Sequence, residues 1–432
     1  MTDQLNVSKS LELYEAGCRL VPGGSQTNSK RATAYALGAW PIYFDSAKGC
    51  RITDVDGNEY IDYVLGLGPI TLGYCYDRVD DAVSQQLQRG IIAGLLSPLE
   101  VEVAEKLCDL VPCAEMVRYM KGGAEGTAAA ARIARGYTGK EMILNSGYRG
   151  WADTWAAQRP DAAGVPACLE ATIKGFPRDD LNALEDLLIE HKGEVAMIAV
   201  DVASGTAAPQ EVVEGMRRLA DEHDTLLMFD EIVSGFRMAP DGGQGYYGVT
   251  PDLAVFAKGM ANGMPLSAVC GRKDVMDCAK DLIISITYGG EALSLAAASV
   301  CLDIYKQEPV TEHMFRQGDR LREGFEAAAA SCGVPFKCHG PACMQSMTFD
   351  YPDAELNTKV WTLLLQETAR RGVLIRRGGL LFITYSHDDE AIEQTVAAVA
   401  ETMPLIADAV EAGKVDEQLQ TGKVEESFRR FM

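Results

Sequence analysis

An α/β protein, with a large domain of mostly parallel sheet wound by helices and a smaller α+β domain from both chain ends, is predicted by three features of this sequence. Through the middle of the chain, short apolar runs alternate with amphipathic helical stretches, the pattern of strands joined by crossover helices. The two flanks differ: polar and apolar residues alternate near the start, and long helical segments surround isolated strands near the end. At 432 residues with 47% apolar side chains, the chain exceeds one typical domain and can fill a large core. The predicted division is 1–70 as a segment contributing to the small domain, 71–318 as the large domain and 319–432 as the C-terminal part of the small one.

From the N-terminus, residues 42–63 alternate around Gly49 and the Asp56-Gly57-Asn58 turn, which predicts an antiparallel meander. Buried strands are predicted at Val117–Met120, Glu141–Leu144, Val195–Val200, Leu226–Phe229, Leu253–Phe256 and Ala268–Cys270, each an apolar run followed by turn residues. Between them, leucines at 181, 184, 187 and 188 give Asp180–His191 a helical stripe, as do Val212, Val213, Met216 and Leu219. The C-terminal part predicts helices at Glu312–Ala330, Asn357–Arg371 and Asp389–Thr402 and strands at Met344–Phe349 and Leu380–Thr384. Residues 410–432 are charge-rich and predict a solvent-facing helix or a frayed end.

Charge and composition exclude several functions. The 62 acidic and 40 basic residues give a formal charge of −22, a field that repels nucleic acid and anionic lipid. No apolar run is long enough for a membrane span. The twelve cysteines are scattered without CxxC pairs and the N-terminus lacks a secretory pattern, so reduced thiols in a cytoplasmic protein are expected. The five histidines show no HxxH spacing, and no metal site is expected.

The chemistry concentrates at the ends of the apolar runs, where ligands of open α/β sheets gather. Leu226–Phe229 delivers Asp230, and Leu253–Phe256 leads to Lys258 and a glycine-containing loop. After Met120, Lys121-Gly-Gly-Ala-Glu-Gly-Thr127 opens an alanine-rich helix, so backbone amides at Gly122, Gly123 and Ala124 form an anion cradle at a helix N-terminus. Tyr148 follows the next strand and offers an aromatic face. Thr287 presents a hydroxyl before a glycine turn and a second alanine-rich helix. A strand-end amine, a strand-end carboxylate and a phosphate cradle are the parts that pyridoxal phosphate requires.

In this order and spacing the segments resemble the class III aminotransferases, fold-type-I pyridoxal phosphate enzymes, and within them the branch containing glutamate-1-semialdehyde aminomutase. The resemblance runs through Val21–Gly24, Thr53–Tyr63, Ala134–Gly139, Phe229–Arg237, Gly248–Asp252 and the Lys258 segment. It implies Lys258 as the Schiff-base lysine and proton carrier, and Asp230 as the partner of the ring nitrogen. Ile232 and Tyr148 would cover the two ring faces, and Thr206 would lie near the ring hydroxyl. Thr287 would reach the phosphate of a neighbouring subunit, which implies a homodimer with shared sites. The implied activity is transfer of an amino group from an amino acid donor to a ketone or aldehyde, with an intramolecular amino shift or a racemisation as the alternative.

Departures from the aminomutase pattern concern the pocket. The phosphate loop lacks two hydroxyls, leaving Lys121 or Thr127 as compensating groups; Leu67 replaces a tryptophan; Arg149 replaces the histidine after Tyr148; and the expected glutamate is missing near Gly379-Leu380-Leu381. Ser25, Arg376 and Arg377 are candidate substrate contacts, the arginines as a clamp for a carboxylate. Two other classes fit less well. A nucleotide loop would place its lysine after the glycines, whereas Lys121 precedes them. A non-catalytic scaffold would not need both Asp230 and Lys258.

Overall fold

A computed structural model describes residues 5–159 and 162–421. They form two compact units, the first within residues 5–67, 72–76 and 312–421 and the second within residues 68–71, 77–159 and 162–311.

The first unit opens with a helix, Ser8–Leu20, and continues into the meander: β1 (Phe44–Lys48), β2 (Arg51–Asp54) and β3 (Glu59–Asp62) pair antiparallel in sequence. Asp54 sets the turn, its carboxylate accepting from the Asp56 and Asn58 amides at 3.0 and 2.8 Å, while Gly57 takes φ +89°.

The second unit holds a seven-stranded sheet: β4 (Met116–Met120), β5 (Met142–Ser146), β6 (Ile173–Gly175), β7 (Val195–Val200), β8 (Leu226–Asp230), β9 (Leu253–Phe256) and β10 (Ser267–Gly271), in the order β4-β10-β9-β8-β7-β5-β6. Strands β5 to β9 run parallel, and β10 is antiparallel to both its neighbours. The predicted strands are all present. The sequence reading missed β6, a three-residue edge strand with one buried side chain, too short to show periodicity.

Both faces of this sheet are covered, which is why its strands read as unbroken apolar runs. Ile143, Met197, Ala199 and Met228 face one core with Ala130, Ile133 and Ala134 of the helix Gly123–Thr138. Their neighbours Leu144, Ile198, Val200, Leu227 and Phe229 face another, with Val212, Val213, Met216 and Leu219 of the helix Gln210–Glu222 and Leu184 and Leu188 of the helix Leu181–Glu190. At the opposite end of the sheet, Asp252 anchors three elements: its carboxylate accepts from the Leu227 amide at 2.8 Å and pairs with Arg217 at 2.8 Å and Arg272 at 2.7 Å.

The chain then completes the first unit with β11 (Phe336–His339), β12 (Met344–Phe349), β13 (Val373–Leu374) and β14 (Leu381–Phe382). β13 adds in parallel to β3, and β11-β12-β14 form a separate antiparallel sheet. The strand predicted over Leu380–Thr384 shrinks to β14, because only Gln345 and Met344 of β12 pair with it. The last long helix runs Asp389–Glu411, past the expected stop at Thr402 and through Pro404. Proline removes one helical hydrogen bond, but Ile406 and Ala409 beyond it are buried, and their packing carries the helix on. Val415–Gln418 forms a further turn of helix, and the rest of the expected tail, 422–432, lies outside the described residues. Among the described residues no helix is long and apolar enough to cross a membrane, and no three His, Cys, Asp or Glu are placed to hold a metal ion.

Candidate active site

The ends of the parallel strands, together with the start of antiparallel β10, form one edge of the large sheet. Four of the sequence-predicted groups, the loop after β4, Tyr148, Asp230 and Lys258, stand there with two others, Arg149 and Asp201. Loop 121–123 leaves β4, Tyr148 and Arg149 follow β5, Asp201 follows β7, Asp230 ends β8, and Lys258 follows β9 by two residues. The Ser267 hydroxyl at the start of β10 donates to the Gly122 carbonyl at 2.9 Å and ties the loop after β4 to this edge.

The cradle is built on the helix Gly123–Thr138, capped by Gly122. Glu125 reaches back from the first turn, accepting from the Lys121 and Gly122 amides at 2.9 Å each. The Gly122 amide, predicted as an anion donor, is therefore taken by a side chain. Gly123 and Ala124 hold the first two helical amides, which have no acceptor within the helix. Gly122 has φ −99°, and a Cβ there would meet nothing nearer than Glu125 Oε2 at 4.0 Å, so neither backbone strain nor packing calls for glycine. At Gly123 the reason is packing: a Cβ would lie 2.6 Å from Ile232 Cδ1. Ile232 is thus brought against the cradle.

The two groups named as compensating donors are engaged elsewhere. Lys121 pairs with Glu291 at 2.7 Å and donates to the Pro265 carbonyl at 3.1 Å. Burial raises the Glu291 carboxyl, but Lys121 and the amides it caps, Leu293 and Ser294, outweigh burial and bring it below its ordinary value. The Thr127 hydroxyl donates to the Arg149 carbonyl at 2.6 Å.

Asp230 is buried, with Oδ1 accepting from the Ile232 amide at 3.0 Å and Oδ2 from Arg149 Nη1 at 3.3 Å. Arg149 was visible in the sequence only as a departure from a motif. Its side chain is buried, and it also pairs with Asp201 at 3.3 Å, a residue the sequence reading did not single out. Burial pushes the Asp230 carboxyl above the ordinary aspartate range, and Asp201 adds to this; Arg149, the Ile232 amide and Lys258 oppose it. The next residue, Glu231, is structural: its buried carboxylate accepts from the Gly243 and Gln244 amides at 2.9 and 3.0 Å and from the Ser234 hydroxyl.

Lys258 opens a short 3-10 turn, Lys258–Ala261, in the left-handed region at φ +36°. For a residue with a side chain this conformation costs about 1–3 kcal/mol and persists only where its surroundings impose it. Here the Tyr305 hydroxyl donates to the Gly259 carbonyl at 2.6 Å, and Asn262 Oδ1 accepts from the Thr71 amide at 3.0 Å. Thr71 Oγ1 lies 2.5 Å from where a Gly259 Cβ would be, and Arg237 Nη2 donates to it at 3.2 Å and to the Gly68 carbonyl at 2.7 Å.

The remaining predicted residues are placed as follows. Tyr148 is 49% exposed. Thr287 is exposed on the turn before the helix Ala292–Gln307. Thr206 is also exposed, its hydroxyl and carbonyl accepting from Arg178 at 2.8 and 3.1 Å. Ser25, Arg376 and Arg377 belong to the first unit. The Ser25 hydroxyl donates to the Thr27 carbonyl at 2.9 Å, and Arg377 donates to Thr358 at 3.0 Å. Arg376 is 5% exposed, has no carboxylate within ion-pair distance among the described residues, and leaves Nη2 without a hydrogen-bond partner.

The family model described as "Aminotransferase class-III" matches residues 34–403. The chain is 34% identical over 411 residues to 3-aminobutyryl-CoA aminotransferase of Cloacimonas acidaminovorans, covering 93% of this chain and 98% of that one. It is 35% identical over 419 residues to glutamate-1-semialdehyde 2,1-aminomutase 2 of Exiguobacterium sibiricum, covering 91% and 95%. Among solved structures, the FumI protein of Sphingopyxis sp. MTA144 in its PLP internal aldimine form superposes with a TM-score of 0.89 at 27% identity, over 94% of this chain and 98% of that one. The α/β architecture is thus the one that the resemblance implied. On a family match that spans most of its length and on relatives aligned almost end to end, the chain belongs to the class III aminotransferases.

Proposed function

We propose that the chain is an aminotransferase that uses pyridoxal 5′-phosphate to move an amino group from an amino acid donor to a ketone or aldehyde acceptor. The observation that carries this reading is the convergence of Asp230, Lys258 and the Gly123 and Ala124 amides on one edge of the parallel sheet, beside a glycine whose open Cβ position leaves room for a ligand. When bound, this cofactor supplies an aldehyde that condenses with amines and a ring that withdraws electrons from the substrate carbon.

The chain's own residues divide the work. Lys258 Nζ would hold the cofactor and would serve as the base for the proton at the substrate carbon. Asp230 would hold the proton of the ring nitrogen, the amides of Gly123 and Ala124 at the helix terminus would bind the phosphate, and Ile232 and Tyr148 would pack against the ring. Thr206, held by Arg178, is the weakest member of the set. Arg376 would be the partner of the donor's carboxylate: a buried guanidinium with no counter-charge among the described residues accommodates an anion without first breaking a pair. Ser25 and Arg377 stand as secondary substrate contacts.

A second copy of the chain completes the assembly. Thr287 is exposed, and the same unit exposes Ile91, Ile92, Leu95, Leu96, Ile283 and Tyr288, more apolar surface than a monomer usually leaves in water. We place the enzyme in the cytoplasm, in keeping with twelve free thiols.

An amino shift within one molecule is the second reading, favoured by the comparable identity to an aminomutase. It requires no stoichiometric donor, so conversion that depends on a separate amino acid decides for transfer. Replacing Lys258 with Ala is expected to lower turnover by about 10⁴-fold or more and to abolish borohydride-stable labelling by pyridoxal phosphate. Normal turnover, or a label mapped to another side chain, would overturn the assignment.

A further inference from the structure

We propose that Arg149 is the positioning residue of Asp230, and that its guanidinium, divided between Asp230 and Asp201, keeps the Asp230 carboxylate ionised and held in one orientation at the sheet edge. Its role in turnover rests on the reading of Asp230 as the ring-nitrogen partner; its electrostatic content does not.

The geometry is specific. Nη1 lies 3.3 Å from Asp230 Oδ2, and Nη2 lies 3.3 Å from Asp201 Oδ1, with only 1% of the arginine side chain exposed. Carbonyls on two parallel strands fix the guanidinium plane: Nη2 donates to Ser146 and, at 3.4 Å, to Ala199, while Nη1 donates to Tyr148 at 2.8 Å. The Arg149 backbone is pinned by the Thr127 hydroxyl, which links it to the cradle helix. Gly147 makes the arrangement sterically possible: it sits at φ +94°, and a Cβ there would lie 2.4 Å from Asp201 Oδ1. The side chain cannot swing out to solvent without breaking this set.

Two carboxylates share one cation, so the pairing works as a balance. The charged groups that face Asp230 are Arg149 from the loop after β5, Asp201 from the end of β7 and Lys258 from the turn after β9. Removing Arg149 leaves a buried carboxylate beside another anion, and its proton affinity must rise. Removing the Asp201 charge takes away the competitor for the guanidinium, and the affinity must fall. An ionised Asp230 accepts a hydrogen bond from a protonated ring nitrogen, whereas a neutral one would leave the ring without its proton and weaken it as an electron sink.

Carboxyl ¹³C NMR on the apoprotein, labelled at aspartate and assigned with Asp230→Asn, reads this directly. Arg149→Gln is expected to raise the proton affinity of Asp230 at least about tenfold, Asp201→Asn to lower it, and Arg149→Lys to stay near the parent. Opposite signs in the first two variants support the proposal, since loosened packing would move both the same way. Shifts of one sign, or no shift in either, overturn it. Should Arg149→Gln fail to fold, Asp201→Asn decides alone, a fall supporting the proposal and a rise or no change sinking it. The titration uses no cofactor, so failure of the chain to take up pyridoxal phosphate would count against the functional reading and not against this one.

Discussion

Two buried arginines, Arg149 at the edge of the large sheet and Arg376 in the other unit, meet different surroundings. In the unit built on the large sheet, Arg149 is matched by two aspartates, Asp252 by two arginines and an amide, and Glu231 by two amides and a hydroxyl. In the other unit, among the described residues, Arg376 is buried with no anion within ion-pair distance, and His387 is fully buried with Nε2 lacking a partner. Matched charges hold elements in register and are costly to remove one at a time, whereas an unmatched buried cation weakens the fold unless a ligand completes it.

Substitutions can break this contrast. The largest effect is expected at Arg376: changing it to Met should raise the KM for a carboxylate-bearing donor about 100-fold, since a buried charge-assisted pair is worth roughly 2–5 kcal/mol. The same change should leave thermal stability equal or higher. A loss of stability with an unchanged KM would show that Arg376 is a structural residue.

The matched counterpart should respond in the opposite sense. Replacing Asp252 with Asn removes the partner of Arg217 and Arg272 and is expected to cost about 2 kcal/mol in urea unfolding, less than a fully buried pair because both arginines reach solvent. KM should not move. An unchanged unfolding midpoint would erase the distinction between the units.

The smallest effect sharpens the comparison through pH. Burial pushes the His387 imidazole down to about 3 from 6.5, with the neighbouring charges of His313 and Arg51 acting in the same direction. His387 Nδ1 accepts from the Thr384 amide at 3.0 Å and lies 2.9 Å from the Thr384 hydroxyl, and the ring stacks on Tyr63 at 4.6 Å. Its folded-state affinity for protons is depressed, so its contribution to stability is whole above about pH 6.5 and is lost as pH falls toward 3. The expected slope is about 1.4 kcal/mol per pH unit inside that window, added to those of other groups. His387→Gln should flatten the urea-midpoint profile there, and parallel profiles for parent and variant would refute this account.

Much of the site was legible in the chain because its residues end apolar runs. Asp230 and Lys258 stand out as polar side chains at the close of buried strands, and the alanine-rich stretch after Gly122-Gly123 announces a helix terminus without reference to anything distant. Arg149 and Asp201 do not stand out. They are 52 positions apart, and only the parallel pairing of β5 with β7 brings their loops together. Thr127 and Lys121 stood as possible compensation for the hydroxyls missing from the family's phosphate loop, yet the fold directs one hydroxyl to a carbonyl and one amine to Glu291.

Periodicity, apolar runs and turn residues, all local properties, determined the elements and the edge of the sheet at which chemistry would collect, because burial on one or two faces leaves a direct imprint on residue order. Which charges meet was decided by strand order and by the small residues that admit close approach, such as Gly123 against Ile232 and Gly147 against Asp201. Those contacts depend on distances between segments far apart in the chain, and no local pattern encodes them.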